Sequence, residues 1–262
     1  MNNKLKSILR PFALKLLNLG FDSTKILSYK FYLRFRGDKS KWLKQGGIIT
    51  RNFMFLSDYS DSAGNAKGHY FHQDLLVAKL INENNPKRHI DIASRVDGFV
   101  AHVASFREIE VVDIRPLVKS EHVNIIFHKA DLMSSNNLGE TDSLSCLHAI
   151  EHFGLGRYTD PIDVDGHNKG ITNLVNLVSI GGRLYISFPI GQSDEVHFNA
   201  HRIFHPRTIF KHPSISKCMN LVRFDYVDDN GDLHPNSDVS NVDAETQYGC
   251  GIYTFEKVIH IE

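Results

Sequence analysis

The segment HIDIASRVDGFVAHVASFREIEVVDIRP, residues 89–116, carries two acids at the ends of apolar runs, Asp91 and Asp113. A polar turn and a helix-compatible stretch lie between them. A strand, a turn, a helix and a second strand ending in a carboxylate is the layout of a nucleotide-cofactor site. The acid about 20 residues beyond the turn accepts hydrogen bonds from ribose hydroxyls. Such a charged hydrogen bond contributes about 1.5–3 kcal/mol. Asp131 closes a third apolar run, in HKADLMS, where a side chain can meet an adenine amino group. The first turn departs from the usual glycine-rich pattern. Ala93, Arg95 and Asp97 stand where glycines normally let backbone approach a ligand, and only Gly98 keeps that freedom. Arg95 and Asp97 admit two readings. They pair with a ligand carboxylate and ammonium, or they pair with each other and hold the turn.

Histidine is abundant, with 15 residues. HAIEH, residues 148–152, has the spacing of inverted zinc peptidases. It follows an apolar strand, however, and Gly154 and Gly156 break the long helix such a motif needs. HFNAHRIFHP spaces His197, His201 and His205 four apart, which on one helix would gather metal ligands on a face. Pro206 disfavours a helix through His205. This segment reads better as a lid or substrate contact, and no metal site is assigned.

The elements that would position these groups alternate. GHYFHQDLLVAKLINENNP reads as a helix ended by Asn85-Pro86. Then come RHIDI as a strand, residues 97–106 as a helix, and IEVVDI, HVNIIFH and DSLSCLHA as strands. GITNLVNLVSI reads as a helix closed by Gly181-Gly182, GRLYISFP as a strand, and LVRFDYV and GIYTFEKVI as two final strands without a clear helix between them. The alternation predicts an α/β, Rossmann-like, doubly wound, mostly parallel seven-stranded sheet with an antiparallel edge pair.

Two segments follow from this. Residues 1–66 form a basic N-terminal segment, with amphipathic helices over 4–19 and 23–36 and a loop over 37–66, and residues 67–262 form the α/β domain. The formal net charge is zero, yet residues 1–51 hold twelve Lys or Arg against two Asp. The basic helices read either as a solvated helical cap on the α/β domain or as a peripheral contact with an anionic membrane surface through residues 1–51, and the net acidity of the α/β domain argues against a nucleic-acid partner. No run approaches the roughly 18 apolar residues of a membrane span, and no export signal is evident. Three widely spaced cysteines suggest neither a disulfide framework nor a zinc ribbon. A cytoplasmic location, peripheral at the inner membrane face, is the expectation.

Taken together, HIDIAS, VVDIRP, ADL, CLHAIEHFG and LVSIGGRLYISFP resemble the motifs of class I S-adenosylmethionine-dependent methyltransferases over about residues 68–258. Within that superfamily, HYFHQDLLVA, DIASRVDGFVAHV and AIEHFGLGRYTDPID resemble a family of unknown function with bacterial and nematode members. Its bacterial members are linked to surface polysaccharide. The resemblance implies S-adenosylmethionine as cofactor, held by Asp91, Ala93, Ser94, Arg95, Gly98, Asp113, Ile114, Asp131, Leu132 and His148. It further implies methyl transfer to a sugar, glycan or similar small hydroxyl acceptor. An alcohol acceptor needs a base, worth about 10²–10⁴-fold. His152 is the first candidate and His201 the second, with Glu151 orienting one of them or touching substrate; a helix cap is the alternative for Glu151 and His152. Arg157, Tyr158, Asp160, Asp163 and Asp165, in the polar insertion 154–170, would grip a polyhydroxylated acceptor or simply form a surface loop. A catalytically inactive member of the fold, acting as a binding or scaffold module in polysaccharide assembly, is the alternative reading. A cation-dependent enzyme using the histidine clusters is a third.

Overall fold

The computed structural model describes residues 27–118, 121–134, 137–242 and 246–259. Contacts divide the chain into two units, Met1–Asn65 and Ala66–Glu262. In the first unit a 3-10 turn, Tyr29–Phe31, leads into helix α1, Tyr32–Lys44. The helix runs on past residue 36, where the sequence suggested a loop. A side chain at Gly37 would meet nothing within 4 Å, and Asp38 sits 3.8 Å from both Arg34 and Lys41, one turn to either side. These i,i+3 and i,i+4 pairs support a helix across a weak helix former. No residue of α1 is buried, and Leu33, Trp42, Ile48, Phe53 and Phe55 are exposed. The expected helix over 4–19 lies outside the described residues. Among the described residues, no helix is long and apolar enough to cross a membrane.

The second unit begins with α2, His69–Asn84, which ends where Asn85 turns left-handed at φ 44° before Pro86. Four parallel strands follow, β1 His89–Ile92, β2 Ile109–Asp113, β3 Ile125–Lys129 and β4 Thr141–Leu147. A wide turn over Val96–Val100, bent at Gly98, and a single-turn helix α3, Ala101–Ala104, join β1 to β2. Helix α4, Gly166–Leu177, feeds β5, Val178–Ile190. The helix stops four residues before Gly181, because Val178 is already extended and pairs with Thr141.

The sheet order is β3-β2-β1-β4-β5-β10-β8-β9, with β8 Met219–Val227, β9 Leu233–His234 and β10 Gly249–Lys257. β10 lies between β5 and β8 and is antiparallel to both. The sheet therefore has eight strands rather than seven, the extra one being only two residues long. Strand order reverses beside β1, with β2 on one side and β4 on the other, which opens a crevice at the carboxyl ends of those strands. A second pair, β6 Glu195–His197 and β7 His201–Ile203, forms a small antiparallel hairpin.

Each face of the main sheet has its own apolar core. Ile90, Ile92, Leu144 and Ile186 pack with Ile171 and Leu174 of α4 and with Ile215 of the short helix α5, Pro213–Cys218. Val111, Leu147 and Ile252 pack with Val77 and Ile81 of α2 and with Phe99 and Val103. Near-continuous apolar runs are what a parallel sheet buried on both faces requires.

Candidate functional site

The crevice is a cleft with about 120 Å³ of interior space. Ala93, Ser94 and Arg95 after β1 line it, as do Asp113, Ile114 and Arg115 after β2 and Asp131, Leu132 and Met133 after β3. His148, Ala149, His152 and Phe153 after β4 complete that rim, and Tyr70, Gln73 and Asp74 of α2 form another wall.

The first turn works without its usual glycines. Ala93 takes φ 60°, left-handed, while its amide donates to the Val112 carbonyl at 2.8 Å. A methyl side chain is the smallest that can stand there other than hydrogen. His148 sits at φ 48° at the end of β4, its amide donating to the Ser187 carbonyl and hydroxyl at 3.0 and 3.1 Å. Among the described residues five non-glycine residues take this costly left-handed backbone, and two of them, Ala93 and His148, line the cleft.

Asp91 does not line the cleft. Its carboxylate is fully buried and accepts from the Ser94 amide at 3.0 Å, the Ser94 hydroxyl at 2.8 Å and the Ser145 hydroxyl at 2.6 Å. Burial pushes its pKa up to about 7 against those hydrogen bonds. Asp91 therefore ties the turn together from beneath and leaves ligand contact to its neighbours. Gly98 is likewise off the cleft; a Cβ there would come within 3.0 Å of Asp74 Oδ2, so its lack of a side chain makes room for Asp74. Arg95 pairs with Asp97, Nη2 to Oδ2 at 2.8 Å and Nε to Oδ1 at 3.1 Å, both side chains largely exposed. Of the two readings of these charges, the mutual pair is the one present.

Asp113 lines the cleft with a competitor in place. Arg115 donates to it from its amide, Nε and Nη2, at 2.6–3.2 Å, and stacks over Tyr158 with its guanidinium carbon 4.4 Å from the ring centre. Asp131 accepts from the Met133 amide at 2.8 Å. Asp74, buried on α2, accepts from Gln73 at 3.1 Å, and burial raises its pKa. Gln73 Oε1 in turn accepts from Ser187 at 2.6 Å. Sequence reading missed Gln73 and Asp74. The signal was available: two adjacent polar residues fall on the face of α2 that also carries Val77 and Ile81.

The HAIEH segment forms a 3-10 turn over Ile150–His152. Nδ1 of His152 donates to the Ala200 carbonyl at 2.7 Å, which leaves Nε2 as the unprotonated nitrogen. Burial lowers the His152 pKa, so the ring is neutral at neutral pH and able to accept a proton. Glu151 is 1% exposed and does not line the cleft. Its Oε1 meets His148 Nδ1 at 2.8 Å, which orients that ring, and lies 3.7 Å from His152 Nε2, too far for a hydrogen bond. His201 also lies off the cleft, on β7 beside His197 and Tyr248, at 5.2 and 5.3 Å between ring centres. The hairpin sets His197 opposite His201, while His205 is elsewhere, accepting from the Arg207 amide at 3.2 Å, so the three do not share a helical face. In the insertion, Asp160 accepts from the amides of Gly154, Tyr158 and Gly156, and Asp163 pairs with Lys169 at 2.5 Å. These acids order the loop; Tyr158 and Asp160 reach the cleft.

The comparisons with known proteins bear on this architecture. Coclaurine N-methyltransferase bound to N-methylheliamine and SAH superposes with a TM-score of 0.51 at 8% identity, covering 97% of this chain and 94% of that one. The methyltransferase domain of bacterial CtHen1-C gives 0.50 at 14% identity, covering 72% of this chain and 99% of that one. The chain has the class I methyltransferase fold. At these identities the likeness extends to the fold alone. Residues 120–235 match a family model described as Caenorhabditis protein of unknown function, DUF268. No curated protein matches the chain.

Proposed function

We propose that this chain is an S-adenosylmethionine-dependent methyltransferase acting on a hydroxyl of a sugar, glycan or similar small acceptor. The observation that carries the reading is the cleft at the strand-order reversal, with Asp113 and Asp131 at the ends of consecutive strands on one side and His148 and His152 on the other. The residues present suit the cofactor. Asp113 can accept from both ribose hydroxyls, Asp131 and Leu132 can bracket the adenine, and the turn at Ala93 and Ser94 can receive the methionine end. Asp74, on the α2 wall of the cleft, can meet the ammonium, and Arg95, at the rim, would have to leave Asp97 to reach the carboxylate.

When bound, the cofactor supplies a sulfonium methyl group for direct displacement. The chain's part is to hold an acceptor oxygen in line, which by positioning alone supplies much of the acceleration. His152 Nε2 then takes the hydroxyl proton as the new oxygen–carbon bond forms. Its neutral state and the Nδ1 bond to Ala200 suit that task. Tyr158 and Asp160, at the cleft edge, support a polyhydroxylated acceptor.

One observation favours a second reading, a binding or scaffold module of the same fold. Arg115 already occupies Asp113 with three donors. Titration calorimetry with S-adenosylhomocysteine tests the first reading; saturable one-to-one heat supports it, and its absence across the millimolar range leaves only the scaffold. Conversion of labelled S-adenosylmethionine in the presence of glycan fractions then separates transfer from binding.

A further inference from the structure

Beside the cleft, three side chains from distant parts of the chain converge. His69 opens α2, His148 directly follows β4 and Cys250 lies in β10. Their ligand atoms all fall within 4.8 Å of one another. We propose that His69, His148 and Cys250 bind a zinc ion.

Each histidine is already oriented as a zinc ligand should be. Metal-bound imidazoles usually give their second ring nitrogen to a carboxylate or a backbone carbonyl, which fixes the tautomer. His148 Nδ1 meets Glu151 Oε1 at 2.8 Å, and the His148 side chain is 4% exposed. Its Nε2 is buried, makes no conventional hydrogen bond and lies beside the Cys250 thiol. His69 hydrogen-bonds the Tyr248 backbone and stacks on His148 with ring centres 5.2 Å apart. Cys250 is fully buried, and its one side-chain neighbour of note is Gln73 Oε1 at 3.8 Å, a long and weak contact. Glu151 Oε2 and His201 Nε2 are also buried without hydrogen-bond partners.

The ligand chemistry selects the ion. Two imidazoles and a thiolate suit zinc and not magnesium or calcium. Zinc ligands lie about 2.0–2.3 Å from the metal, so the three groups need to draw together by roughly 1 Å. Three protein ligands leave a fourth position for water or substrate oxygen, the pattern of reactive rather than purely structural zinc. His148 belongs to both places, lining the cleft and contributing to the cluster. On the methyltransferase reading, which this role alone rests on, the fourth position would take the acceptor oxygen.

The test uses full-length, tag-free protein stripped with a chelator and titrated with Zn²⁺ against a chromophoric competitor, then with Co²⁺ as an optical probe. One equivalent of Zn²⁺ should bind, and Co²⁺ should give a thiolate charge-transfer band with the intense visible bands of a tetrahedral site. Cys250→Ser should abolish the charge-transfer band, and His69→Ala should weaken Zn²⁺ binding by more than the about 10–100-fold expected for Glu151→Gln, which removes only the partner of a ligand. Circular dichroism and the melting temperature of each stripped variant show whether it still folds, and His69→Ala, at a partly exposed position, is the variant least exposed to that risk. No bound equivalent, no thiolate band, or undiminished affinity in His69→Ala and Cys250→Ser would overturn the site. S-adenosylhomocysteine titrated into the stripped protein reports the cofactor cleft separately, so failure of the zinc site and failure of the methyltransferase reading are told apart.

Discussion

Asp113→Ala should weaken S-adenosylhomocysteine binding, and Arg115→Ala should not. The Asp113 side chain is 11% exposed and faces the cleft, so ribose hydroxyls bound to it would be largely shielded from water. Hydrogen bonds to a charged acceptor contribute about 1.5–3 kcal/mol, which at about 1.4 kcal/mol per decade is a loss of roughly 10- to 150-fold. Arg115 enters with the opposite sign. It donates to both carboxylate oxygens, so it must swing aside for a ribose to bind there. Its side chain is 44% exposed, and an ion pair with so much solvent access is worth only about 0–1 kcal/mol. Removing Arg115 should therefore tighten binding by no more than about fivefold. Titration calorimetry on the wild type and both variants reads these numbers directly. Equal affinity in Asp113→Ala and wild type would refute the ribose assignment. A tenfold or greater loss in Arg115→Ala would show instead that the guanidinium is the ligand.

Other outcomes follow from the same geometry. His89 is fully buried between Ser143 at 2.7 Å and Ser145 at 3.1 Å, and burial drives its pKa to about 3. A folded pKa below the unfolded value of about 6.5 means stability is present above pH 6.5 and drains away as pH falls toward 3. This residue alone should cost about 2 kcal/mol between pH 7.5 and 5. Asp91, raised to about 7, works oppositely, stabilising at low pH and losing that contribution as pH rises through 7. Urea denaturation at pH 7.5 and 5 should show a smaller acid loss in His89→Gln than in the wild type, and an equal loss would contradict the burial argument. Ala93 is left-handed, so Ala93→Val should destabilise by about 1–3 kcal/mol while Ala93→Gly stays close to wild type, as read from denaturant midpoints. Twelve basic residues in 1–51 and the exposed Leu33, Trp42, Phe53 and Phe55 support peripheral contact with anionic lipid. The full chain should co-sediment with phosphatidylserine-containing vesicles at low salt and release as salt rises; equal retention on neutral vesicles would argue against it.

The sheet was legible because its strands are apolar runs bounded by polar turns, a pattern that survives without any knowledge of partners. What escaped was short or non-local. β9 has two residues, and the β6–β7 hairpin has three in each strand, too few for a period to show. Gly37 and Asp38 look like a helix end, yet ion pairs with Arg34 and Lys41 carry α1 across them. In the site, Asp113 and Asp131 were readable as acids at strand ends. Asp91 looked identical in sequence, but the next strand brings Ser145 to it and the turn brings Ser94, which convert it into a buried tie. Glu151 and His201 were chosen for their chemistry, whereas burial and the hairpin decide that neither reaches the cleft. The meeting of His69 with Cys250 joins the first helix of the domain to its last strand, and no local spacing announces such a contact.

The most direct test is a crystal structure of the full chain with S-adenosylhomocysteine. The account expects the nucleoside in the cleft, ribose hydroxyls on Asp113 with Arg115 displaced, adenine beside Asp131 and Leu132, and the sulfur on the side of His148 and His152. A ligand bound elsewhere, or an Asp113–Arg115 pair intact beneath it with no ribose contact, would contradict it.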